Sequence, residues 1–311
     1  RDGDGFVEYG RVTEDGLVNQ GWKDSQDSIF HADGSLAQGP IALCEVQAYV
    51  HAAKLAAADI AAALGRTERA AVLRCEARQL EQRFNEVFWC EDLDTYALAL
   101  DGAKRPCRVR ASNAGHTLLA GIVPDERAAR LARQLVAAPF FSGWGVRTIA
   151  SGEARYNPMS YHNGSVWPHD NALIARGLAA HGYKREAARL FAALFEASTT
   201  IDLRRLPELF CGFPRRRGQG PTFYPVACAP QAWAAAAPLC LLQSCLGLDF
   251  DVSTRTVMFD RPCLPDFLDE AILRGLSIGD ARIDIAFRRV DGNVAMNVLG
   301  RQGDIRATMT S

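Results

Sequence analysis

The sequence predicts a mainly α protein of paired helices followed by a small β element, and three observations carry that prediction. From Pro40 to Leu248 apolar residues recur mostly at helical spacing, interrupted by polar and Gly-containing links. The links are short, which favours sequential helix pairs packed side by side. Past Gly247 the pattern changes to short alternating runs, as expected of strands with one buried face. Two units follow, a helical domain over residues 1–248 and a β appendage over residues 249–311.

A first helix is expected from about Pro40 to Leu64, with Pro40 near its first turn and Gly65 as its stop. Thr67 then caps a second helix whose buried stripe is Ala70, Leu73, Leu80, Phe84 and Val87. Further helices are expected at about Asn113–Ile122, Asp125–Ala137, Val166–Ala180, Lys184–Ser198 and Gln231–Leu246. Strands are expected at Thr256–Phe259, Ala281–Arg288 and Asn293–Leu299, the last two joined by the hairpin signal Val290-Asp291-Gly292. At the start, Asp2, Asp4 and Gly5 suggest part of a calcium loop, but Arg11 stands where the closing Glu belongs, so a solvated turn is the better reading.

Composition narrows function. Thirty-five Lys and Arg against 36 Asp and Glu leave a formal net charge of -1, which offers no electrostatic footprint for nucleic acid or an anionic membrane. The richest apolar run, Ala232–Leu242, is shorter than the roughly 18 residues a membrane span needs. Nine cysteines at irregular spacing read as reduced thiols of a cytoplasmic protein, and no zinc-type spacing occurs. No metal or organic cofactor is expected.

Four segments are too polar and aromatic to be plain linkers: residues 19–28, 143–148, 156–171 and 206–210. Trp and Tyr rings beside carboxylates and amides suit a sugar, whose C–H faces stack on rings while its hydroxyls need donors and acceptors. Glycosidic hydrolysis needs one carboxylic acid to protonate the leaving oxygen and one carboxylate to activate water or attack carbon. Asp24 or Asp27 can supply one and Glu208 the other. Trp22, beside Asp24, would exclude water and raise the acid's pKa, unless the Lys23 ammonium turns to the same place. Asp27 lies three residues on and would share a face with Asp24 if the segment were helical.

The set Gln20-Gly21-Trp22-Lys23-Asp24-Ser25, Gly145-Val146-Arg147-Thr148, Ser160-Tyr161-His162-Asn163-Gly164-Ser165-Val166-Trp167-Pro168, Pro207-Glu208-Leu209 and Gln231-Ala232-Trp233 resembles the amylo-alpha-1,6-glucosidase domain of glycogen debranching enzymes. More loosely it resembles the glucoamylase-like glycosidases built on an (α/α)6 six-hairpin toroid. The resemblance spans about residues 1–248. It implies inverting cleavage of an α-glucosidic bond in an oligosaccharide or branched α-glucan, with Asp24 as general acid and Glu208 as general base. Inversion in turn implies carboxyl groups roughly 6.5–9.5 Å apart. Trp22, Trp144, Trp167 and Trp233 are then expected as pocket walls, and Lys23, Asp27, Arg147, Tyr161, His162, His169 and Gln231 as further substrate-binding residues. Trp167 and Trp233 at helix starts also read as core residues, and His169 with Asp170 as a helix cap. The Arg215-Arg216-Arg217 run reads as a solvated loop, with a lid contact as its functional alternative.

Seven or eight helices fall short of the twelve of a complete toroid, so the sequence reads as the C-terminal part of a longer enzyme. Two rival functions follow: a carbohydrate-binding or structural remnant without turnover, and a sugar epimerase or lyase in which His162 or His169 carries the proton.

Overall fold

The computed structural model describes residues 3–311; Arg1 and Asp2, and with Asp2 one half of the suggested calcium loop, lie outside the described residues. The chain is helical with some sheet. A two-residue strand β1 (Ala42–Leu43) leads into α1 (Cys44–Ala63), followed by α2 (Thr67–Val87). Short strands β2 (Trp89–Cys90), β3 (Thr95–Tyr96) and β4 (Ala99–Leu100) precede α3 (Asn113–Leu119) and α4 (Asp125–Leu135). After a long connection come α5 (Pro168–Ala180), α6 (Lys184–Thr199) and α7 (Ala232–Leu246). The remainder is strand: β5 (Leu248–Asp251), β6 (Thr256–Phe259), β7 (Glu270–Ile278), β8 (Ala281–Val290), β9 (Asn293–Gln302) and β10 (Arg306–Met309). Among the described residues no helix is long and apolar enough to cross a membrane.

Two local expectations are corrected. Pro40 does not open α1, because Ile41–Leu43 first run extended and β1 pairs antiparallel with β4. Thr67 is the first helical residue of α2, preceded by Arg66 as N-cap, and no side chain caps that end.

Packing puts alternate helices side by side. α1 packs on α3, α3 on α5 and α5 on α7, while α2, α4 and α6 pack on their preceding partners. The apolar face between them is one large core that includes Ala48, Leu80, Phe84, Ala114, Leu118, Ile174, Leu178, Leu194 and Leu241. Small residues set the close approach: a Cβ on Gly115 of α3 would meet Ile174 Cγ1 of α5 at 2.7 Å. That contact brings the start of α5 against the next residue of α3, His116.

In the β part, Ala281, Ile283, Ile285 and Phe287 alternate inward along β8 and share a core with Val257, Phe259 and Ile305. β8 pairs antiparallel with β7 and β9, and β6 lies between β5 and β10. Asp291 and Gly292 turn the β8–β9 hairpin with positive φ of 48° and 79°, the backbone form such two-residue loops require.

Candidate active site

The site is assembled by loops over the row of helices. Val166 pairs with Arg147 on one side and Phe210 on the other, and Phe210 pairs with Phe223. These bridges lock four loop segments edge to edge. The crossing is tight, because a Cβ on Gly212 would lie 1.7 Å from Gly164 O, so only glycine fits there. Residues 161–169 are thereby held between the segments carrying Asp24 and Glu208.

The two candidate carboxylates lie beside consecutive residues of that segment. Tyr161 donates its hydroxyl to Glu208 Oε1 at 2.8 Å, and the Cys228 amide donates to Oε2 at 3.2 Å, so both oxygens of this 7% exposed side chain are oriented. Next in sequence, His162 Nδ1 lies 3.9 Å from Asp24 Oδ1. The same nitrogen faces Ser25 Oγ at 2.8 Å and the Ser25 amide at 3.4 Å. An amide can only donate, so Nδ1 is the acceptor and the ring proton sits on Nε2. Burial, reinforced by the Lys23 ammonium, lowers His162 to about 3, so the ring is neutral at working pH and orients the loop without pairing ionically with Asp24.

Rings fill the space beside the carboxylates. Trp233 stacks on His169 with centroids 3.8 Å apart, and His169 meets Trp22 edge-on at 4.9 Å. Trp167 stacks on His162 at 5.1 Å and touches Trp22, Tyr161 and Trp233 edge-on. Tyr224 leans on Tyr161 at 5.4 Å. Trp22, Tyr161, Tyr224 and Trp233 are half-buried and so able to present ring surface to a ligand, whereas Trp167 is fully buried.

Several expected roles are corrected by this geometry. Asp24 is 56% exposed, and the Trp22 ring turns inward onto His116, His162, Trp167 and His169, leaving the Asp24 carboxyl open to water. Lys23 is 2% exposed and donates to Thr148 O at 2.7 Å with its ammonium under the Trp22 ring, so it is a core cation and not a sugar ligand. Burial depresses it to about 8 against the opposing pull of Asp170 and Glu45. Arg147, also buried, spends its guanidinium on Gly212 O, Ala138 O and Pro139 O. Trp144 is buried under Arg215, which pairs with Glu196, so these two side chains are engaged with each other and with α6. Gln231 caps α7, its Oε1 accepting from the Trp233 amide. Trp167 and His162 are too buried to touch substrate and instead back the walls. Residues 24–28 are not helical, and Asp27 Oδ2 is held by Asn163 Nδ2 at 3.1 Å, so Asp27 does not share a helix face with Asp24.

One buried network was not anticipated. His116 of α3 bonds Asp170 Oδ1 through Nε2 at 2.7 Å and faces the Tyr49 hydroxyl of α1 through Nδ1 at 2.5 Å. Asp170 is therefore no helix cap; burial acts to raise its pKa, but the His116 hydrogen bond and the nearby cations outweigh that and hold it low. Glu45 of α1, raised by burial, accepts from Asn113 Nδ2 at 2.8 Å beside it. The available signal was Ser112-Asn113-Ala114-Gly115-His116, polar groups set in an otherwise apolar stretch.

Comparison with known proteins agrees with a carbohydrate site. Among solved structures, a sialidase superposes with a TM-score of 0.69 at 13% identity, covering 92% of this chain and 27% of its own. A GH78 family rhamnosidase from Bacillus gives 0.63 at 19% identity, with coverages of 86% and 26%. A GH63 mannosylglycerate hydrolase from Thermus thermophilus, in complex with Tris and D-glycerate, gives 0.51 at 20% identity, with coverages of 65% and 45%. The chain thus spans less than half the length of each of these structures, and at such identities the likeness is one of fold. No curated protein sequence matches the chain. Residues 8–210 match the family model described as the mannosylglycerate hydrolase MGH1-like glycoside hydrolase domain. That match takes in more than half of the 311 residues, including Asp24, Tyr161, His162 and Glu208, and the chain belongs to this glycoside hydrolase family.

Proposed function

We propose that the chain hydrolyses an α-glycosidic bond with inversion, Asp24 acting as general acid and Glu208 as general base. The observation that carries this reading is the Tyr161-His162 pair, which lies between a buried carboxylate hydrogen-bonded to Tyr161 and an exposed one 3.9 Å from His162. Glu208, fixed by two donors, is suited to aligning a water against an anomeric carbon, and Asp24, open to solvent, can meet a leaving oxygen and be reprotonated afterwards. Burial makes His162 and His169 weak bases, which disfavours the epimerase or lyase alternative, in which one of them must take up a proton.

The substrate class follows less directly. The motif resemblance favours an α-glucoside of an oligosaccharide or branched glucan, with an α-1,6 bond first to be tried. The matching family model favours a second reading, an α-mannosyl bond to a small acid such as glycerate. In architecture, we take the helix pairs up to residue 248 as belonging to an (α/α)6 toroid and residues 249–311 as a separate β unit. The side-by-side row α1, α3, α5, α7 supports this.

The test is release of glucose or mannose from α-glucosides, limit dextrin and mannosylglycerate by the chain and by Glu208→Gln, with the product anomer followed by NMR. Initial β-anomer, abolished in Glu208→Gln, is expected. Initial α-anomer would replace inversion by a covalent intermediate, and sugar binding without turnover would leave a carbohydrate-binding domain.

A further inference from the structure

A general acid must come within hydrogen-bond reach of the leaving oxygen, so its placement is the first requirement. Among the described residues the Asp24 carboxyl accepts no hydrogen bond, and it is 56% exposed, so its own contacts do not fix it. Its position is set by the backbone of residues 22–25, and the neighbouring side chains pin that backbone. Trp22 turns inward, and Ser25 Oγ meets His162 Nδ1 at 2.8 Å. Lys23 is held twice: Nζ donates to Thr148 O at 2.7 Å, and its carbonyl accepts from Ser28 Oγ at 2.6 Å. Ser28 is itself fixed, since its hydroxyl oxygen accepts from Asn19 Nδ2 at 3.3 Å.

The Lys23 ammonium is a costly way to fill a buried space. It faces Asp170 of α5 and Glu45 of α1, whose charges favour it, yet burial outweighs them and lowers its pKa. A methionine of similar length would occupy the same volume without that desolvation. What the ammonium adds is a directed bond out of the acid's segment. Thr148, which receives it, donates its amide to Ser165 O at 2.9 Å and accepts from the Gly164 amide through Oγ1 at 2.8 Å. Ser165 Oγ donates to Tyr161 O at 2.6 Å, and Tyr161 holds Glu208. One run of hydrogen bonds thus joins the segment of the candidate acid to the candidate base, and Lys23 is its first link.

We propose that Lys23 and Ser28 are positioning residues for Asp24: the buried ammonium anchors the acid's segment to the frame that holds Glu208, and the Ser28 hydroxyl closes the turn at the Lys23 carbonyl. This rests on the hydrolase reading above and assigns work to two side chains that never touch the sugar. Loosening either one should therefore impair proton donation and leave sugar binding nearly intact.

The experiment measures kcat and KM of wild type, Lys23→Met, Ser28→Ala and Asp24→Asn on isomaltose and mannosylglycerate, and on 2,4-dinitrophenyl α-glucoside and α-mannoside. Dinitrophenolate departs as a stable anion without a proton, so loss of acid catalysis spares these glycosides, whereas loss of the base or of the fold does not. Expected in Lys23→Met and Ser28→Ala is a kcat at least tenfold lower on the unactivated glycoside and less than threefold lower on its dinitrophenyl counterpart, with KM within threefold on both. Asp24→Asn should show the same pattern more strongly. Hydrogen exchange followed by mass spectrometry gives a readout independent of turnover: residues 22–28 should exchange at least tenfold faster in Lys23→Met and Ser28→Ala, while α5 and α6 keep wild-type rates. Equal losses on both kinds of glycoside, or no loss, in the folded variants would overturn the proposal, while the pattern in Asp24→Asn keeps the hydrolase reading. If Lys23→Met fails to fold, Ser28→Ala decides alone. A wild type that cleaves nothing, or Asp24→Asn as active as wild type, refutes the hydrolase reading. The anchoring is then judged by exchange: acceleration confined to residues 22–28 upholds it, and unchanged rates overturn it.

Discussion

The hydroxyl of Tyr161 donates to Oε1 of Glu208 at 2.8 Å, which makes Tyr161 a holder of the candidate base. Burial and the Glu208 carboxylate both push the phenol's pKa upward, so it remains a donor throughout the working pH range. In Tyr161→Phe, Glu208 keeps only the Cys228 amide. Misorientation of a base costs catalysis more than binding, so kcat should fall roughly 10–100-fold with KM changed less than about threefold. Steady-state kinetics with the product anomer as a second readout check this. A rise in KM at constant kcat would return Tyr161 to the substrate-binding residues.

Acid should loosen this fold through its buried imidazoles. Burial holds His169 at about 4, against the opposing charge of Asp170, and His162 at about 3. In the unfolded chain both take a proton near pH 6.5. Between that value and about 4 the unfolded state binds more protons than the folded one, so stability falls as pH drops through this window. For His169 alone the gap corresponds to roughly 3 kcal/mol when fully developed. Urea unfolding at pH 7 and pH 4.5 measures it. Wild type should lose about 2 kcal/mol more over that interval than His169→Gln. Parallel losses in the two proteins would show that His169 titrates normally.

The helices were legible because they rest on periodicity, and periodicity is local. All seven α-helices of the described residues were expected, and the starts of α3, α4 and α6 fell on the expected residue. Among the described residues seven strands were not: β1, β2, β3 and β4 are two residues each, β5 and β10 are four residues each, and β7 is broken by a register shift between Leu273 and Leu276, so none offers a long run of clean alternation. The site was legible as residue types and motifs, which is why Tyr161, His162, Trp22 and Glu208 come together. What the sequence left hidden was direction. Whether Lys23 or Arg147 points to solvent or to a backbone carbonyl depends on how loops cross at Gly164 and Gly212, and spacing along the chain carries no such information. His116 stayed hidden for the same reason, since its partners Tyr49 and Asp170 lie on other helices.

Arg147 provides the sharpest separation between a structural and a substrate-binding role. Its side chain is 3% exposed and pairs with no carboxylate among the described residues; instead Nε donates to Gly212 O at 2.6 Å and Nη1 to Ala138 O at 3.0 Å and Pro139 O at 3.2 Å. Desolvation accordingly lowers its pKa, and the fan of carbonyl oxygens is what keeps the charge tolerable. Arg147→Met removes the charge but strands these acceptors in the interior, which should cost about 3–5 kcal/mol. Arg147→Lys should fall between, because one ammonium cannot span carbonyls that a planar fork reaches together. Gly212 sits where two loops cross, so the loosened crossing should release residues 161–169 and lower kcat in proportion to the folded fraction, with KM for glycosides of the remaining folded protein within about threefold of wild type. Chemical denaturation paired with KM decides: normal stability with a tenfold higher KM would place the guanidinium on the sugar after all.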